Sequence, residues 1–64
     1  MRNWRSILDN ESFMQGWQSA QRDMLRLLHL ATERSEAFAI CQARAYDEHH
    51  GSERKGYLAF LSAL

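Results

Sequence analysis

The densest set of chemically able side chains is Asp47-Glu48-His49-His50. Two carboxylates beside two imidazoles are the ligand types a divalent metal takes. Zinc needs three or four such groups converging from defined spacings. On a helix only Asp47 and His50 share a face, at i, i+3. The chain has no His-x-x-x-His or Cys-x-x-Cys pair. It also lacks the Glu-x-x-His of helical carboxylate proteins. The cluster therefore reads as a polar helix end, its histidines favoured by the C-terminal dipole. No metal ligand is assigned, and metal-responsive sensing stands as a remote third function.

Cys41 with His29 or His49 would make a thiolate–imidazole pair. Cys41 instead falls in line with Ala37 and Ala45, a row of small residues that suits an inert buried thiol. A short helical chain offers little room for a concave pocket that excludes water. No catalytic residue and no cofactor is assigned, and the expectation is a protein that is not an enzyme.

Basic side chains give the next signal. Arg22, Arg26 and His29 form a ridge at helical spacing, and Arg2 and Arg5 flank Trp4. Both groups could hold phosphates, and pairing of two copies would double them. Against this, Asp23 and Glu33 dilute the field, and eight basic residues balance eight acidic ones. The Gly51-Ser52 break leads into an apolar segment, Tyr57 to Leu64, unsuited to reading base edges. A small dimeric RNA- or DNA-binding regulator using Arg2, Arg5, Arg22 and Arg26 is therefore the alternative function.

The elements that would position these residues are helical. Phe13, Trp17, Ala20, Met24, Leu27 and Ala31 recur at steps of four and three, one stripe of an α-helix. Met14, Leu25 and Leu28 flank it and widen the apolar arc enough for two neighbours. Asp9 and Asn10 compete as the N-cap, and Asp9 in that place would staple Leu8 to Phe13. Gly16 costs helix propensity but would let another backbone approach. Ser35 reads as the cap of a second helix, with Gly51 and Ser52 as stop and restart. The fold class is all-α: an arm or short helix over 1–9, a main helix over 10–33, a second over 35–50 and a last over 52–64. The rival is one helix from about Asn10 to His50, since the stripe continues in phase through Arg34, Phe38, Cys41 and Ala45. A charged Arg34 on that stripe argues for a break.

Residues 45–64 resemble the back half of a tetratricopeptide repeat, through Ala45-Tyr46, Gly51, Gly56, Phe60 and Ala63-Leu64. The loop after Tyr46 is longer than in that motif, and Gln42 stands where leucine is expected. The resemblance implies ordinary helix-pair packing, and no binding residue is carried over from it.

Sixty-four residues make one small domain that is marginal alone. A single cysteine excludes an internal disulfide. Residues 1–8 lack the apolar run of a signal peptide, and no segment is apolar enough to span a membrane. The expectation is a cytoplasmic protein with no membrane partner. The stability missing from so small a core would come from a homodimer. Its expected interface is Phe13, Trp17, Ala20, Met24, Leu27, Leu28, Ala31 and Phe38. The leading function is a non-enzymatic regulator that binds and modulates a larger, unidentified protein. Its size and architecture are those of phage- or plasmid-encoded accessory proteins.

Overall fold

A computed structural model describes the backbone of residues 4–64 and the side chains from Leu8 onward. It is a three-helix fold: α1 spans Trp4–His29, α2 Arg34–Asp47 and α3 Gly51–Ser62. Arg34 Nη2, at the start of α2, donates to the Leu64 carbonyl just past α3, at 3.3 Å. The helices therefore run up, down and up. Among the described residues, no helix is long and apolar enough to cross a membrane.

α1 begins earlier than its caps predict. Asp9 and Asn10 lie inside the helix and Leu8 is exposed, so the expected staple to Phe13 does not form. The helix passes through a capping residue because nothing at 9–10 forbids it; asparagine and aspartate only offer an alternative to helix. The expected arm over 1–9 is thus part of α1 from Trp4 onward; residues 1–3 lie outside the described residues.

The break between α1 and α2 is real, and the single-helix rival does not hold. It falls at Leu30–Glu33, earlier than Ser35 implies. The Thr32 amide bonds the Leu27 carbonyl at 3.1 Å, and the Ala31 amide bonds that of Leu28 at 3.2 Å. That pair of bonds is a Schellman motif. Ala31 takes the left-handed position, φ 64°, where glycine is usual. Arg34 escapes the cost of burial by being exposed at this turn. Glu33, rather than Ser35, is the N-cap of α2, without a side-chain bond.

The second corner falls near the expected Gly51, but His50 rather than Ser52 is the N-cap of α3, so Ser52 lies inside the helix. α2 stops at Asp47, short of the expected residue 50, and Gly51 opens α3 with φ +58°. Only glycine adopts that angle at little cost. Arg54 closes the corner. Its Nε donates to the Ala45 and His49 carbonyls, each at 3.0 Å, and one terminal nitrogen donates to that of Tyr46 at 2.9 Å. The guanidinium also lies 5.0 Å from the Tyr46 ring centre. Two of the last carbonyls of α2, those of Ala45 and Tyr46, are thus met by one side chain.

The core holds Ala20, Met24, Ala37, Cys41, Ala45, Tyr57 and Leu61. Its tightest junction is between α1 and α3, where two glycines face backbone. A methyl on Gly16 would overlap the Glu53 carbonyl and stand 2.9 Å from the Tyr57 nitrogen. A methyl on Gly56 would overlap the Phe13 carbonyl in the same way. Gly56 thus serves the contact with α1, rather than a repeat-like packing of α3 on α2. Trp17 meets Phe60 edge to face across the same junction, ring centres 5.3 Å apart.

Candidate functional site

Two features on this frame are candidates for function: a buried polar cluster where the helices meet, and an apolar flank of α1 that they leave uncovered.

The cluster joins all three helices. Tyr57 of α3 donates its hydroxyl to Asp23 Oδ2 of α1 at 2.8 Å. Arg44 of α2 reaches the same oxygen at 3.7 Å, and Arg22 lies 3.6 Å from Oδ1. Cys41 of α2 sits beside Tyr57, and both are fully buried. Burial pushes the Cys41 thiol up, and the Asp23 charge adds to the rise. Burial also pushes the Tyr57 hydroxyl up, reinforced by its bonds to Cys41 and Asp23. Both groups are held neutral and closed to solvent. Among the described residues, no buried side-chain nitrogen or oxygen lacks a partner. A satisfied network of this kind fixes one register between helices. Its effect is structural specification: Asp23 can be buried only where Tyr57 and Arg44 arrive together.

Asp23 signals this cluster in the sequence. It stands between Ala20 and Met24, at the edge of the apolar stripe, where a carboxylate needs a donor. Sequence reasoning assigns it only to the surface charge. Tyr57 and Arg44 are the polar-tipped residues of the other two helices that supply the donors.

The Asp47–His50 group is split by the second corner. Asp47 ends α2 and Glu48 caps it. His49 turns inward, its ring 4.6 Å from that of Tyr57 and its Nδ1 against the Glu53 carboxylate. His50 is the N-cap of α3. Among the described residues, no three His, Cys, Asp or Glu side chains converge as metal ligands would.

The expected dimer seam is divided by its placement. Ala20 and Met24 are buried in the core, so the chain covers them itself. Phe13, Trp17, Leu27 and Phe38 are half-buried. Ala31 is exposed in the turn rather than on a helical stripe. The physical reason is α3: it lies along the stripe where a second copy was expected. Only Leu28 of the eight remains an exposed, large apolar side chain of α1.

Beside the seam lies the uncovered flank. Met14 is 52% exposed, Leu25 62% and Leu28 42%. Gln18 and Gln21, at the intervening helical positions, are also exposed. A shallow open groove runs past Met14, lined by Asn10, Glu11, Gln15 and Gln18. Arg22 and Arg26 are exposed, Arg22 one helical turn on from Gln18 and drawn toward Asp23. Arg2 lies outside the described residues, as does the side chain of Arg5. The buried cluster holds the helices together, and the flank is the surface they leave free. No family model matches the chain, and neither a curated protein nor a solved structure shows significant similarity to it.

Proposed function

We propose that the protein is a small non-enzymatic interaction protein that works as a helical homodimer and modulates a larger partner protein. The observation that carries this reading is the flank of α1. Three large apolar side chains, Met14, Leu25 and Leu28, stay in water on a chain whose core, among the described residues, holds seven apolar side chains. Isolated exposed apolar residues are ordinary, but a line of them on one helix marks a surface made for contact. The reactive side chains Cys41 and Tyr57 are sealed, so the accessible chemistry of the molecule is surface recognition.

Sedimentation equilibrium of the intact chain tests the pairing, and affinity capture from its native host tests the partner. Leu25→Glu is the control for both, because Leu25 is exposed and its loss leaves the core untouched. The expected result is a concentration-dependent dimer that Leu25→Glu dissociates, and a captured protein that depends on the dimer. A chain that stays monomeric at about a hundred times micromolar concentration removes the reading.

A further inference from the structure

We propose that α1 pairs antiparallel with α1 of a second copy, in one register, with Met14 facing Leu25 and Gln18 facing Gln21. This rests on the reading that the chain works as a homodimer, and it names the surface and geometry.

The exposed line Glu11, Met14, Gln18, Gln21, Leu25, Leu28 advances by three, four, three, four and three residues. That is the spacing of a coiled-coil seam, distinct from the stripe that α3 covers. The line is also close to a palindrome. Placed against a reversed copy of itself, it puts Met14 over Leu25 at both ends and Gln18 over Gln21 in the middle. Shifting by one heptad in either direction sets glutamine against leucine or methionine. The central register sets Met14 on Leu25 and amide on amide, and leaves Glu11 and Leu28 to meet at the outer rim, where the charge reaches solvent. A two-fold interface needs this kind of self-complementarity. Paired glutamines can donate and accept reciprocally, and polar residues in such a seam fix register at some cost in affinity.

Charge selects the same direction. Glu11 is the charged member of the line and lies near the start of α1, and Arg22 and His29 border the line toward its end. Antiparallel pairing separates the two Glu11 side chains and brings each beside Leu28 and His29 of the second copy. Parallel pairing would stack Glu11 on Glu11. The antiparallel arrangement also opposes the two helix dipoles. With one apolar layer, Met14 on Leu25, toward each end, a polar centre, and Glu11 over Leu28 at the rim, the contact is small, and a micromolar dissociation constant is expected.

The test is sedimentation of the intact chain and three variants, with helicity checked by circular dichroism. Gln18→Glu/Gln21→Lys creates opposite charges across an antiparallel pair and like charges across a parallel one. It should therefore keep the dimer. Gln18→Glu/Gln21→Glu should dissociate it, as should Leu25→Glu, by roughly a hundredfold because symmetry applies each change twice. A mixture of Met14→Cys and Leu25→Cys chains should form a mixed disulfide faster than either alone. If the native chain dimerises but Gln18→Glu/Gln21→Lys is monomeric, the register is wrong while the homodimer stands. If the dimer survives Leu25→Glu, the surface is wrong. If the native chain never dimerises, both readings fail together.

Discussion

Replacing Gly16 with alanine is the sharpest test of how α1 and α3 are joined. At an open helical position this change stabilises by about 1 kcal/mol, through propensity alone. Here the added methyl would overlap the Glu53 carbonyl and come within 2.9 Å of the Tyr57 nitrogen. Both obstacles are backbone, so no side chain can rotate away. α3 must retreat by on the order of 1 Å, and a gap of that size forfeits a quarter to a half of each contact it opens. Met24, Tyr57 and Leu61 bury there, each for roughly 1.5–3 kcal/mol. Losing a third to a half of that from three side chains costs about 2–4 kcal/mol. Set against the propensity gain, the net loss is about 1–3 kcal/mol, or a fall in Tm of roughly 5–20 °C for a domain this small. Urea and thermal unfolding followed at 222 nm would measure it. Gly56→Ala should behave alike, and the double variant should cost less than the two singles added, because one retreat of α3 accommodates both methyls. A Gly16→Ala chain more stable than the native one would refute the close backbone contact.

Four other outcomes follow from the turn and the buried cluster. Ala31→Gly should raise stability by about 1 kcal/mol in urea unfolding, since alanine at φ 64° carries a steric cost that glycine avoids. Tyr57→Phe should lower stability by about 1–3 kcal/mol, because it strips the buried Asp23 of its shortest hydrogen bond. The pKa values of Cys41 and Tyr57 are raised above their ordinary 9.0 and 10.0. The unfolded chain loses these protons first, so stability should hold below about pH 9 and decline as pH rises beyond it. Unfolding midpoints taken across that range check the sign, and a flat profile would contradict it. The Cys41 thiol should react with a disulfide reagent only as fast as the chain opens, so its rate should climb with urea in step with unfolding.

Periodicity reveals a helical face but not what covers it. The stripe through Phe13, Trp17, Ala20 and Met24 is legible in the spacing, yet its occupant is α3, more than thirty positions away. Gly16 is legible too, because a glycine inside a strong helical pattern implies a close neighbour, and Glu53 and Tyr57 supply it. The break at Ala31 leaves almost no trace. A left-handed alanine looks like any alanine, and the Schellman bonds that hold it are made by backbone. The start of α1 misleads for a related reason: Asp9 has the side chain of a cap, but the helix simply continues through it. The buried cluster is half legible. Asp23 is out of place on its stripe, whereas the arrival of Tyr57 and Arg44 depends on both corners being turned correctly.

The glycine junction also governs how the chain reaches its fold. Phe13 and Gly56 touch although 43 positions separate them, so the tightest interface joins opposite ends of the described sequence. Most helical proteins fold fast because their contacts are local. This one must first close a long loop, and the entropy of that closure comes before the contact that rewards it. Its refolding should be slow for a bundle of its size, and a fragment ending after α2 would keep only the smaller contact of α1 with α2, such as Asp23 to Arg44.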